Sequence, residues 1–188
     1  MVSKSDTYFL VIMQNDLLNN LTFTEGDLKS YCEDNENIVY YSLIKHDKDI
    51  NECGELEKIH FHLLIKLKNS YAKSTIVNDL AKYLKCNISI IQSRRVYSFV
   101  KCCRYLIHGN EEDKEKYQYS LSSVITNDFE ETYNIITKGV SIYEFDIDYL
   151  IKLVRNCRSM SEIYHTLGIK YSRMYRPIIN DLWKERVR

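Results

Sequence analysis

The sequence predicts an α+β fold, a mainly antiparallel sheet flanked by helices, with a small helical segment at the C-terminal end. Three observations carry that reading. Apolar runs of strand character alternate with helical periodicities up to about residue 127. Two such runs, 38–44 and 59–67, flank a polar turn containing Cys53, Gly54 and Glu55, which is a hairpin pattern. Beyond Asp146 only helical spacing remains.

Residues 7–13 (Thr-Tyr-Phe-Leu-Val-Ile-Met) read as a buried strand, and a helix is expected from about Glu25 to Cys32. In the hairpin, Ile59, Phe61, Leu63, Ile65 and Leu67 alternate onto a core face. His60 and His62 then project together from the opposite, solvent-facing side. A helix starting at Ser74 carries Ile76, Val77, Leu80, Ala81 and Leu84 on one face, and residues 87–91 return as a strand. A further helix is expected over 94–107, then a short strand near 120–125 that closes the sheet. The tail reads as three helices: 146–157, one capped by Ser161 and ended by Gly168, and a last one with Pro177 in its first turn. The expected organisation is one domain over 1–135 and a helical segment over 146–188, with the boundary between Asn127 and Phe145. The segment reads either as a helix-turn-helix or as an oligomerisation element.

A chain of 188 residues with 45% apolar and 28% charged residues is ordinary for a globular protein. No run of about eighteen apolar residues offers a membrane span. The six cysteines show no CxxC spacing, which fits reduced thiols better than a disulfide framework or zinc knuckle. With no apolar stretch over 1–6 to act as a signal peptide, a cytoplasmic location is expected. The formal net charge is zero, but its distribution is uneven. Residues 66–104 hold nine Lys or Arg and one acid, Asp79, while 152–188 hold nine basic residues against three acids. Two separated basic segments suggest a local phosphate-binding surface.

Two imidazoles one residue apart on a strand can hold a divalent metal if a neighbouring element completes the site. The hairpin brings His46 and Asp49, from His46-Asp47-Lys48-Asp49, beside His60 and His62. Each motif alone reads equally as solvated charge; at opposite ends of one hairpin they read as a metal site. On the expected helix over 94–107, Lys101, Tyr105 and His108 share a face at steps of four and three. A phenol of pKa about 10 attacks poorly at neutral pH unless its target is polarised, which a metal on a phosphate oxygen supplies. Tyr97, Tyr117 and Tyr119 read as bystanders.

Taken together, His46-Asp47-Lys48-Asp49, a Gly-Glu turn, Lys58, His60-Phe61-His62 and Tyr105-Leu106-Ile107-His108 resemble the plasmid replication initiators of the HUH endonuclease superfamily. The resemblance is to the rolling-circle Rep proteins of small Gram-positive plasmids, over roughly residues 7–127. It implies the HUH endonuclease fold, with His46, Asp49, His60 and His62 holding Mn²⁺ or Mg²⁺. It implies Tyr105 as the single nucleophile that nicks and joins single-stranded DNA through a 5′-phosphotyrosine, initiating rolling-circle replication. His108 replaces the lysine of many HUH proteins, and its role stays open between leaving-group acid, phosphate contact and helix packing. Lys66, Lys68, Arg94, Arg95 and Lys101 are the candidates to hold the DNA backbone. The expected partners are single-stranded and origin DNA. A host helicase is expected too, because no P-loop pattern is present. The alternative is a non-catalytic origin-binding or repressor protein with the same fold.

Overall fold

The computed structural model describes residues 4–139 and 147–186. The chain divides into two compact units, Met1–Ser141 and Ile142–Arg188.

The first unit is built on a five-stranded antiparallel sheet. Its strands are β1 (Lys4–Met13), β4 (Ile38–His46), β5 (His60–Ala72), β6 (Ile91–Arg95) and β7 (Ile125–Thr126), in the order β6-β1-β5-β4-β7. A small separate hairpin pairs β2 (Asn15–Asp16) with β3 (Leu21–Thr22). The helices are α1 (Glu25–Asp34), α2 (Lys73–Leu84), α3 (Phe99–Tyr105) and α4 (Phe129–Lys138). The mainly antiparallel α+β architecture is therefore the one the patterning predicts.

Local chemistry sets the helix ends. Thr24 and Asp27 form a capping box at α1, the threonine hydroxyl accepting the Asp27 N–H and the Asp27 carboxylate accepting the Thr24 N–H at 2.7 Å. Ser98 accepts the Lys101 N–H and starts α3. Asp128 caps α4, and Gly139, at φ +68°, ends it in the left-handed conformation that glycine adopts most readily.

The central strand β5 pairs with β1 and β4 and is buried on both sides. Phe61, Leu63, Ile65 and Leu67 join Tyr8, Leu10, Ile12, Tyr41 and Leu43 in a core covered by Leu28 and Tyr31 of α1 and Ile76 and Leu80 of α2. The other face carries His60, His62 and Leu64, in register with Met13, Val11 and Phe9 of β1 and with His46, Ile44 and Ser42 of β4. It too is covered. Tyr40 meets Phe99 ring to ring, and its hydroxyl reaches Cys103 of α3 and Thr132 of α4. The histidines are thus buried rather than on a wet face, because α3 and the residues after it close over them.

Several boundaries differ from the sequence expectation. Residues 94 and 95 belong to edge strand β6, not to a helix: Arg94 pairs with Phe9 and Arg95 with Tyr8, so the free edge of β1 captures them. Residues 88–90 form a short 3₁₀ turn, because the Asn87 side chain accepts the Ser89 N–H. The closing strand shrinks to β7, preceded by a 3₁₀ turn at 121–123 capped by Ser120. Helix α4 was not expected, although Asp128 and Gly139 bracket it.

In the second unit α5 (Ile147–Asn156) is followed by α6 (Met160–Arg186). Val154, Cys157, Ile163 and Ile179 form its core, with Leu182 and Trp183 against them. Three helices were expected where the described residues form two. Ser159, not Ser161, caps α6 by accepting the Glu162 N–H, and Gly168 and Pro177 lie inside the helix. Interior Gly costs about 1 kcal/mol and Pro about 3; the apolar contacts made at both ends of α6 oppose that cost. Among the described residues no helix is long and apolar enough to cross a membrane.

Candidate active site

The sheet brings the predicted residues together by register alone. His46 is the last residue of β4 and His60 the first of β5, and the two are direct cross-strand partners. His62 follows one pleat later on the same face. The connection between them folds back on itself: Glu57 N–H donates to the Asp49 carbonyl at 2.8 Å, and Ile50 bridges to Leu56. Gly54, at φ +80°, turns its tip. That fold returns Asp49 to the histidines, where its carboxylate lies 2.9 Å from His46 Nδ1 and 3.9 Å from His60 Nε2.

His108 enters from the other side. It is not on the face of a helix, as expected, but in the turn after α3, at φ +57°. Its Nδ1 donates to the Tyr117 carbonyl at 2.7 Å, and its Nε2 stands 3.8 Å from Asp49. Burial lowers the His108 pKa, an effect the Tyr117 carbonyl partly opposes. Burial raises that of Asp49, but hydrogen bonding and charge from His46, with His108 and Tyr119, outweigh it and leave the group low. The cluster centres on one ionised carboxylate.

Whether these residues suit a metal is answered by their nitrogens. His60 Nδ1 donates to the Lys58 carbonyl at 2.8 Å, which leaves its Nε2 with a lone pair. That Nε2 lies 3.1 Å from His62 Nε2, about the spacing of two nitrogens each about 2.1 Å from one ion. His62 is held well below the usual histidine range by burial first, then by His46, His60, His108 and Arg94, so it is the neutral ligand form. Its Nδ1 is buried without a partner. His46 is more committed. Its Nδ1 faces Asp49, its Nε2 faces the Leu106 carbonyl at 2.7 Å, and a nitrogen donating there has no lone pair to offer. Among the described residues three groupings place ligand atoms close enough to share an ion: His46-His60-His62, His46-Asp49-His108 and Asp49-Glu57-His60. The donor set fits a divalent cation, with His46, Asp49 and His60 each in two of the groupings.

Tyr105 closes the site at the last residue of α3. Its ring meets His62 and His108, each at 5.4 Å between centroids, and Phe9 at 5.8 Å. It lines a cleft of about 860 Å³ together with Lys73, Arg94, Arg95, Tyr97 and Lys101. Arg94 lies on the histidine face, its guanidinium 4.7 Å from the Phe9 centroid and 5.5 Å from that of Tyr105. Arg95 points the other way in the pleat and donates to the Lys4 carbonyl. Lys101 is exposed beside Glu112. The remaining two basic candidates are apart from the cleft. Lys66 is paired with Asp6 at 2.8 Å, and Lys68 is about 20 Å along β5 from His62.

Residues 10–131 match a protein family described as the plasmid replication protein, origin binding domain. The chain belongs to that family. His46, Asp49, His60, His62, Tyr105 and His108 all fall within the matched stretch. The chain is also 33% identical over 81 residues to the replication protein RepB of Lactiplantibacillus plantarum, covering 43% of this chain and 34% of that protein. It spans about a third of the length of that relative.

Three neighbours of the site escaped the sequence reading. Glu57 sits beside His60 in a turn that reads as solvated charge. Tyr119 stacks on His46 and donates to Asp49 at 3.0 Å. Lys116 Nζ reaches the Tyr105 hydroxyl. The last two follow an acidic turn with no periodicity, so only the chain's path reveals them.

Proposed function

We propose that this origin-binding domain nicks and rejoins single-stranded DNA through a 5′-phosphotyrosine on Tyr105, with His46, Asp49, His60 and His62 as the metal-binding residues. The observation that supports it best is the ring of Tyr105 packed against His62, whose Nε2 stands 3.1 Å from that of His60. A bound Mn²⁺ or Mg²⁺ supplies Lewis acidity at a phosphate oxygen. The chain's own residues do the rest. Arg94 and Lys101 attract the DNA backbone into the cleft, Phe9 and the imidazoles hold the Tyr105 ring, and its hydroxyl attacks the scissile phosphorus. The products are a 3′ hydroxyl, able to prime synthesis, and a covalent phosphotyrosine. That link conserves the phosphodiester bond and allows later rejoining. Opening of duplex origin DNA falls to a separate helicase.

The family description is equally compatible with a second reading, in which the domain binds the origin without cutting it. The two separate on one measurement. The protein is incubated with Mn²⁺ and a pool of single-stranded oligonucleotides, then its mass is read and the modified peptide mapped. A nucleotide adduct on Tyr105 is expected. Binding without any adduct would establish the non-catalytic role, and an adduct on another residue would remove Tyr105.

A further inference from the structure

Tyr105 has a second set of polar neighbours besides the histidines. Lys116 Nζ stands 3.3 Å from the Tyr105 hydroxyl and 4.7 Å from its ring centroid. The same nitrogen is 2.9 Å from Asp113 Oδ1, and that carboxylate side chain is only 6% exposed. Asp113 is itself fixed. Its Oδ2 accepts from Asn110 Nδ2 at 3.1 Å, and the same amide nitrogen donates to the Lys101 carbonyl. The Asp113 carbonyl accepts from Gln118 Nε2 and from the Lys116 N–H, each at 3.0 Å. A lysine carries about 2 kcal/mol of rotamer entropy and ordinarily wanders. Here a buried carboxylate, anchored through Asn110 to the Lys101 carbonyl within α3, holds its ammonium against one oxygen. An exposed lysine needs no such support for solubility.

We propose that Lys116 is a catalytic group of the strand-transfer reaction and that Asp113 is its positioning residue. The proposal rests on Tyr105 being the nucleophile. In the step, Tyr105 Oη forms a bond to phosphorus as the bond from phosphorus to O3′ breaks. The phenolic proton passes to water, and O3′ takes a proton from water to leave as a hydroxyl. Lys116 keeps its proton throughout. Its N–H donates to Oη and so orients the attacking oxygen, while its charge draws in a non-bridging phosphate oxygen. Rejoining uses the same contact in reverse.

The test uses the full chain, Mn²⁺ and an oligonucleotide that the wild type cleaves. Adduct formation is timed in single turnover at saturating DNA, and affinity is measured separately in a Tyr105→Phe background. Lys116→Gln is expected to slow the step on the order of 10- to 100-fold, with affinity within about twofold of its parent. Lys116→Arg should restore part of the rate, and Asp113→Asn should fall between. Lys114→Gln removes an equal charge from the exposed pair with Glu111 and should react like wild type. Lys116 is half exposed, so its variants fold even where Asp113→Asn does not. A wild-type rate in Lys116→Gln overturns the proposal, as does a loss lying wholly in affinity. A wild type that forms no adduct on any single strand overturns the assignment of Tyr105 as well, which separates the two failures.

Discussion

The ring of Tyr119 lies flat on that of His46, with centroids 4.3 Å and planes 12° apart. Its hydroxyl donates to Asp49 at 3.0 Å and accepts the Lys48 N–H at 2.9 Å. One side chain from beyond the acidic turn therefore braces two of the proposed ligands. The sequence reading set Tyr119 apart from the site, and its position against His46 and Asp49 emerges only from the structure. Tyr119→Phe keeps the stack and frees one Asp49 oxygen. Mn²⁺ affinity by calorimetry should weaken on the order of tenfold, as when an outer partner of a ligand is lost. An unchanged isotherm would place Asp49 outside the binding set.

Tyr105→Phe removes a hydroxyl and keeps the ring that packs on Phe9, His62 and His108. Oligonucleotide and Mn²⁺ affinities should stay within about twofold, while adduct formation stops. Tyr97, 94% exposed although it lines the same cleft, is the control tyrosine, and its Phe variant should retain cleavage. Tyr117 is a poorer one, since Lys48 Nζ donates to its hydroxyl. Cleavage surviving in Tyr105→Phe would point to water as the attacking group.

Arg94 and Arg95 are neighbours in sequence but opposite in the pleat. Arg94 lies over Phe9 and Tyr105, whereas Arg95 donates to the Lys4 carbonyl. Each phosphate contact on single strands contributes about 0.7 to the slope of log affinity against log salt. Arg94→Gln should flatten that slope by about one contact, and Arg95→Gln by distinctly less. Equal effects would place the strand along the whole edge of β6 rather than at Tyr105.

Between the sheet and its covering helices, burial raises the pKa of Tyr40, and the adjacent Cys103 is pushed up to about 12, also chiefly by burial. In the unfolded chain the cysteine loses its proton at about pH 8.5 and the tyrosine at about pH 10. Above those values the native state holds more protons than the unfolded one, so stability falls as pH rises. Urea midpoints should therefore drop steadily from about pH 8.5 upward. In Tyr40→Phe the drop should be shallower, and the unfolding free energy at pH 7 lower by about 1 kcal/mol for the lost hydroxyl. A flat profile to pH 11 would mean that neither group resists ionisation.

The reading of His46, Asp49, His60 and His62 as neighbours needed only the alternation of β5 and the hairpin that pairs it with β4. Strand period and turn chemistry are local properties, so adjacent residues carry them in plain view. The same is true of the α+β plan, whereas the helix expected over 94–107 contains Tyr105 and the observed α3 ends at it. What local pattern could not supply was competition and cover. Arg94 and Arg95 suit a helix by spacing, yet the open edge of β1 offers backbone hydrogen bonds that a helix start there would forgo. Gly168 marks a helix end by habit, yet α6 continues past it. The histidine face looked wet because its residues are polar. It is buried because α3 and the turn after it fold over the sheet and deliver the Leu106 carbonyl to His46 and the His108 imidazole to within 3.8 Å of Asp49. Tyr119 and Lys116 reach His46, Asp49 and Tyr105 only through that return of the chain. The sequence by itself determined which side chains a strand would align. Tertiary structure alone decided which of them would be desolvated and which distant residues would hold them, because burial and long-range hydrogen bonds depend on the path of the whole chain.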